Sequence, residues 1–490
     1  MEPAGISAGC IYIAQKKNMN QHQPTSHLWR LGFRERRTLL LIVDFLIGAV
    51  AVIVALVVWG RSEEWLGLSL EFLRERVALW FYVLPLVWLL LMLEMYDVHR
   101  AASQRQVLRG VAAATIVGLI LYLGVYFASD SPLPRLGVAV FLATSSILTL
   151  LWRLIYIRIF TAPEFVRRVL LVGAGRAGCT ILRVIDQLEP KPFELVGIID
   201  DNPDLVGTDI DSHAVIANSD QLLPLIEKER ITDLIVAISG TMMGSTFQII
   251  LDAQERGVEI TRMPVVYEEL AGRVPISLLE TDWLLRSFVD EFRISGFYEF
   301  AKRVVDILGG LVGMLMLLFF LPFVGIATMI DTGRPIFYLQ ERLGKGGREY
   351  KIIKFRTMRL DAEADGKPVL AKEDDDRATA VGRMLRRTHL DEIPQFLNVL
   401  RGDMSLVGPR AERPQLVEHF QRRIPFYRAR LLVKPGITGW AQVNYGYAAS
   451  LEETQVKLEY DLYYIKRRNL LLDLLILLRT PATVLGMKGQ

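Results

Sequence analysis

Cysteine is nearly absent: Cys10 and Cys179 are the only two among 490 residues. Two thiols so far apart give neither a zinc-ligand spacing nor a disulfide framework, and they suit a reducing, cytoplasm-facing setting. A large excess of one charge is missing too. The net charge of +3 is small and gives no sign of wholesale nucleic-acid binding, so no nucleic-acid partner is expected. No secretory leader is expected, because residues 1–28 are polar and irregular and the first apolar run begins near Leu39. What the chain has in abundance is apolar side chains, at 51% with a mean hydropathy of +0.29. Its length implies two or three domains, part of them in lipid.

Apolar runs of about membrane-spanning length occur at Leu39–Trp59, Val77–Tyr96, Val111–Ala128 and Leu136–Trp152. A hydrocarbon core of ~30 Å needs roughly 20 helical residues. The sequence therefore predicts four spanning helices within residues 38–160, after a cytoplasmic tail at 1–37. Arg30, Arg34, Arg36 and Arg37 precede the first run. Arg100, Arg105 and Arg109 separate the second from the third, and Arg158, Arg167 and Arg168 follow the fourth. The loop between the third and fourth has only Arg135. Three arginines in the first loop weaken this bias without reversing it. The positive-inside rule then places both ends of the block in the cytoplasm.

From Arg167 the pattern changes to short β-type runs alternating with helical stretches, which predicts a Rossmann-like parallel α/β domain over 165–285. Val169–Val172 ends in Gly173-Ala174-Gly175-Arg176-Ala177-Gly178, and a second strand, Leu195–Ile199, ends at Asp200 and Asp201. This is the dinucleotide spacing, with Gly173, Gly175 and Gly178 as candidate nucleotide-binding glycines. A domain kept only for packing would carry the same pattern.

Val304–Ile330 is a further apolar stretch, with Lys302 and Arg303 before it, Asp306 near its start and Pro322 well inside. A straight crossing would separate residues 331–490 from the preceding α/β domain by a membrane. Pro322 removes a helical hydrogen bond and disfavours a straight helix. The expectation is a re-entrant membrane helix over 298–330, with Lys302 and Arg303 held at the headgroups, followed by a small cytoplasmic α/β domain over 331–490. The apolar tail Leu470–Leu485, interrupted by Asp473, Arg479 and Pro481, should lie at the interface or pack on that domain.

Residues 340–465 hold the densest run of unusual polar spacing. Lys354-Phe355-Arg356-Thr357-Met358 is followed by the acidic run Asp374-Asp375-Asp376-Arg377 and by Arg383, Arg386 and Arg387. Then come Thr388-His389-Leu390-Asp391-Glu392-Ile393-Pro394-Gln395, Gly402–Arg410 and Pro435–Trp440. Pro394 is tolerated only in a first helical turn, so a helix running through Leu400 should begin near Asp391. Both carboxylates would then sit in the positive field of a helix N-terminus, which favours their ionised forms. An ionised Asp can attack phosphorus to form an acyl phosphate. A neighbouring carboxylate can hold Mg²⁺ together with substrate phosphates. Arginine and lysine nearby would stabilise the transferring group.

At these residues the chain resembles the bacterial sugar transferase family of monotopic phosphoglycosyl transferases, over roughly 298–486. Its front half resembles the large undecaprenyl-phosphate hexose phosphotransferases of exopolysaccharide, capsule and O-antigen assembly. The resemblance implies an enzyme of the bacterial cytoplasmic membrane, with its catalytic domain facing the cytoplasm. Asp391 would attack the sugar-bearing phosphate of a UDP-sugar and release UMP. Polyprenyl phosphate would then take the sugar phosphate from the enzyme. Glu392 would hold Mg²⁺, Arg410 and Lys354 would bind phosphate, and Arg356 and Arg386 are further candidates. Ile393 and His389 stand where the family commonly has Leu and Ser, and the acidic loop lacks a proline often found before the position of Arg377. The sugar is not legible, although the resemblance favours a hexose, and homo-oligomerisation is left open.

Two alternatives compete. Membrane-anchored NAD-dependent nucleotide-sugar dehydratases share the front half and need a Tyr-x-x-x-Lys pair, a spacing met by Tyr350 and Lys354. A non-catalytic regulator of polysaccharide assembly would not need both Asp391 and Glu392.

Overall fold

A computed structural model of the chain describes residues 33–62, 69–128, 134–160, 166–238, 240, 242, 244–278, 296–359, 377–446 and 450–484. Most of the expected N-terminal tail, the run Asp374-Asp375-Asp376 and the end of the expected 165–285 domain lie outside these residues. The chain divides between Arg262 and Met263 into two compact units.

The first unit begins with α1 (Phe33–Ser62), α2 (Leu84–Leu91), α3 (Gln104–Ala128) and α4 (Arg135–Phe160). Helices α1, α3 and α4 are long and apolar enough to cross a membrane. The expected second span over Val77–Tyr96 is not one helix. It is split into a 3₁₀ turn at Leu79–Val83, α2, and another 3₁₀ turn at Leu93–Tyr96. Pro85 has no N–H to continue a helix and suits a helix start instead. The apolar stretch Leu79–Leu91 spans roughly 20 Å as a helix, short of the ~30 Å core. Inside this unit Arg153 Nη2 of α4 donates to Asp44 Oδ2 of α1 at 2.6 Å, and both side chains are fully buried. Pairing is what makes two charges tolerable there.

The same unit continues with a six-stranded sheet. Its strands are β1 (Arg168–Val172), β2 (Glu194–Ile199), β3 (Asp209–Ile210), β4 (His213–Ala217), β5 (Asp233–Val236) and β6 (Glu259–Arg262), in spatial order β3-β4-β2-β1-β5-β6. All pairings are parallel except β3 with β4. Helices α5 (Arg176–Asp186), α6 (Leu222–Glu229) and α7 (Gly244–Glu255) connect the strands. Leu170, Val172, Ile199, Leu234 and Ile250 form part of the core.

Helix α8 (Met263–Ala271), grouped with the sheet from sequence, belongs to the second unit. Its buried Glu268 accepts from Lys466 Nζ at 2.9 Å and Arg467 Nη2 at 3.2 Å. Helix α9 (Gly296–Thr332) runs 37 residues with Pro322 inside it. The hairpin β7 (Phe337–Leu343) and β8 (Glu349–Phe355) follows. Then come α10 (Ala380–Arg387), a 3₁₀ helix at Leu390–Gln395, α11 (Phe396–Arg401), β9 (Ser405–Val407), α12 (Pro414–Gln421), β10 (Gly436–Thr438), α13 (Trp440–Asn444), α14 (Leu451–Arg467) and α15 (Leu470–Val484). Strands β9 and β10 pair in parallel.

Lys302 and Arg303 do not sit free at a headgroup layer. Arg303 donates to the carbonyls of Val399 and Leu400, each at 2.8 Å, satisfying the open C-terminal end of α11. Lys302 Nζ donates to Val407 O at 3.0 Å and to Asp473 Oδ2 at 3.1 Å. Asp306 Oδ1 accepts from Ser405 Oγ at 2.8 Å and Leu406 N at 2.9 Å. Farther along α9, a Cβ at Gly313 would fall 2.1 Å from the Phe396 ring, so only glycine permits this approach to α11. Leu317 and Val324 join Phe355, Leu385 and Ile393 in one buried cluster. Asp473 and Ile476 of α15 are buried, so the tail packs within this unit.

Candidate functional site

Asp391 and Glu392 lie in the 3₁₀ helix, and the α-helix proper starts only at Phe396. His389, at φ 53°, turns the chain sharply into this segment. The 3₁₀ helix packs on β8 and α10. Gly382 of α10 lies so close that a Cβ there would meet Thr357 O at 1.9 Å.

Glu392 Oε1 accepts from Lys354 Nζ of β8 at 2.7 Å and from Arg410 Nη2 at 2.8 Å. Its side chain is only 11% exposed. Asp391 is 7% exposed, and its Oδ1 is buried with no donor among the described residues. The two carboxyls are driven apart. Burial, together with the Glu392 charge, pushes Asp391 up to about 6. Arg410 and Lys354 hold Glu392 well below the ordinary carboxylate range despite its burial. The helix-dipole expectation for Asp391 therefore fails. A short 3₁₀ segment offers little aligned field, and desolvation outweighs it.

Lys354 and Arg356 fall on one face of β8 by strand alternation, although Arg356 lies just past its end. Arg356 Nη1 is buried without a partner among the described residues. Arg386 stands half-buried in the last turn of α10. The structure therefore brings Asp391, Glu392, Lys354 and Arg410 together and leaves donor capacity on Arg356. Among the described residues no three His, Cys, Asp or Glu side chains form a metal cluster. Two adjacent carboxylates, one with an unused buried oxygen, still match the donor set that Mg²⁺ takes alongside substrate phosphates.

The Tyr350–Lys354 pair is excluded as a dehydratase couple. Both lie on β8, opposite Arg342 and Tyr338 of β7, so four residues separate them by roughly 13 Å of extended chain.

In the first unit, each fingerprint glycine has its own constraint. Gly173 has φ +109°, a Cβ on Gly178 would fall 2.2 Å from Gly173 O, and Gly175 faces open space. Asp200, the first of the two acids at the end of β2, is already engaged. It accepts from Ala174 N at 2.7 Å and Asn202 N at 2.9 Å.

Sequence reasoning missed the ionic layer behind Arg410, made by Arg342, Glu412, Arg430 and Asp461. Glu412, two residues beyond Arg410, was the only local signal.

Residues 297–487 match the family model described as bacterial sugar transferase, and residues 92–264 match a CoA-binding domain. An Aeromonas hydrophila protein named UDP-N-acetylgalactosamine-undecaprenyl-phosphate N-acetylgalactosaminephosphotransferase is 40% identical over 46% of this chain and 52% of its own length. The chain thus covers about half of that relative. The Escherichia coli and Xanthomonas campestris proteins named UDP-glucose:undecaprenyl-phosphate glucose-1-phosphate transferase are 30% and 29% identical. They match 64% and 66% of this chain and 67% of their own lengths.

Proposed function

Because the chain belongs to the bacterial sugar transferase family, we propose that it transfers a sugar-1-phosphate from a UDP-sugar to polyprenyl (undecaprenyl) phosphate. The products are UMP and a polyprenyl diphosphate sugar, the first lipid-linked intermediate of a polysaccharide. The observation that carries this reading is the split carboxylate pair. Asp391 has a buried oxygen with no donor among the described residues, and Glu392 is bracketed by Lys354 and Arg410.

Asp391 attacks the phosphorus bearing the sugar, and the bond from that phosphorus to the UMP oxygen breaks. A phosphate oxygen of the lipid then attacks the same phosphorus, and the bond to Asp391 breaks to restore the carboxylate. A carboxyl raised to about 6 is still mostly ionised at neutral pH and is more basic than an ordinary Asp. Lys354 and Arg410 neutralise charge on the diphosphate, and Nη1 of Arg356, buried with no partner among the described residues, offers another donor. Mg²⁺, held by Glu392 with Asp391 and the substrate phosphates, would offset repulsion between the anionic nucleophile and the diphosphate.

The packing of α9 supports a monotopic arrangement, with the helix re-entrant rather than crossing. One face touches the catalytic domain from Lys302 to Gly325, roughly 35 Å of helix. A perpendicular crossing would carry the Asp391 segment and the arginines of α10 into hydrocarbon. The other face, with Leu308, Leu311, Leu315, Leu318 and Phe319, is exposed and apolar, as a lipid contact requires. The arginine bias favours a cytoplasmic catalytic domain. The parallel strand order supports a Rossmann-like reading of the sheet domain.

Purified protein in detergent, given Mg²⁺, polyprenyl phosphate and a panel including UDP-glucose, UDP-galactose and UDP-N-acetylgalactosamine, should release UMP and identify the sugar. Labelled sugar phosphate should accumulate on the protein without lipid acceptor, but not on Asp391→Asn. Adduct on that variant would overturn the role of Asp391.

A further inference from the structure

The loop that carries Arg410 has four consecutive backbone carbonyls, and each accepts a hydrogen bond. Pro409 O accepts from Gly436 N at 2.9 Å, and Glu412 O accepts from Leu343 N at 3.1 Å. The two between them are held by side chains. Arg410 O accepts from Arg430 Nη2 at 3.3 Å, and Ala411 O accepts from Arg342 Nη1 at 3.0 Å.

Arg430 is buried and spreads its donors widely. Nη2 also bonds Asp461 Oδ2 at 2.8 Å, and Nη1 reaches Tyr427 OH at 2.7 Å and Glu412 Oε1 at 3.5 Å. Arg342 lies near the other Glu412 oxygen, at 3.9 Å. A buried, charge-balanced layer of this kind contributes little net stability, since apolar replacement of such groups is often neutral or better. What the layer does achieve is geometric. A planar guanidinium can hold a carboxylate and a carbonyl at once, which a lysine ammonium does less well. Its target is the backbone of the residue whose own guanidinium, half exposed, meets Glu392.

We propose that Arg430 is a positioning residue for the transfer reaction, acting through Arg410. Held by Asp461 and Tyr427, it fixes the Arg410 carbonyl and so sets the register of the Arg410 guanidinium against Glu392 and the diphosphate. The long side chain of Arg410 can then find its place without a search of the loop. The inference rests on the phosphotransfer reading given above.

The test is a double-mutant cycle on the full chain in detergent, with the UDP-sugar that releases UMP fastest from the unmodified protein. Arg430→Lys should lower kcat/KM for that UDP-sugar about tenfold to a hundredfold, the scale of a displacement of ~1 Å. In an Arg410→Lys background the same change should cost about threefold or less, because the group it positions is already altered. Tyr427→Phe, which keeps the ring and removes one partner of Arg430, should repeat the pattern more weakly and serves if Arg430→Lys does not fold. Melting temperatures report folding separately. Losses that multiply in the double variants would overturn the inference while leaving the transferase reading intact. An unmodified protein that releases UMP from none of the sugars would overturn the reading itself, and the inference with it.

Discussion

The raised carboxyl of Asp391 makes a quantitative prediction about pH. With the group at about 6, roughly nine tenths is ionised at pH 7 and about one tenth at pH 5. Only the anion attacks phosphorus, so adduct formation should fall about tenfold across that interval, with its acid limb centred near 6. Glu392→Gln removes the neighbouring charge that raises Asp391 but leaves burial and the cations Lys354 and Arg410. The acid limb should therefore move down, while the plateau rate drops because a phosphate-site carboxylate is lost; raised Mg²⁺ should recover part of that loss but none in Asp391→Asn. Stability runs by linkage. A folded value raised above the ordinary ~3.9 gives stability that is present below about 4 and lost as pH rises through about 6. Asp391→Asn removes that dependence. It should melt higher than the parent at pH 8 by about 1–3 kcal/mol of stability, with the gap closing toward pH 4. The assay is single-turnover trapping of labelled sugar phosphate from pH 4.5 to 8, with thermal unfolding alongside. An acid limb near 4 that does not move in Glu392→Gln would refute the electrostatic account.

Gly178→Ala should disrupt the sheet domain, because its Cβ would lie 2.2 Å from Gly173 O, whereas Gly175→Ala, facing open space, should fold normally; melting curves separate them. A fragment beginning at 298 loses Glu268, the anion for buried Lys466, and the Gly272 carbonyl that accepts from Trp440 Nε1 at 2.7 Å. It should be less stable and less active than one beginning at 263. Asp44→Asn strands buried Arg153 and should cost about 3–5 kcal/mol in detergent, and Asp44→Leu with Arg153→Met should recover most of it. Single cysteines at 297 and 334, after replacement of Cys10 and Cys179, should label from the same side of the membrane; labelling from opposite sides would sink the re-entrant reading.

Sequence alone determined the elements whose signal is local. Long apolar runs mark α1, α3, α4 and α9 because span length is a property of consecutive residues. Strand–glycine–helix spacing marks β1 and α5 for the same reason. The Asp391-Glu392-Ile393-Pro394 run marks a helix start because proline is admitted only there. Tertiary structure decided what depends on distant partners. Pro85 broke the second expected span, and Asp44 and Arg153, 109 residues apart, became a pair. Arg303 turned from the headgroups to the carbonyl end of a helix nearly a hundred residues on, and Lys302 to a strand carbonyl and Asp473. Above all, Asp391 and Glu392 are chemically similar neighbours in sequence. Both are buried; which one lies out of reach of the cations' hydrogen bonds and which is clasped by Lys354 and Arg410 follows from where β8 and the Arg410 loop pack, and no local pattern records that.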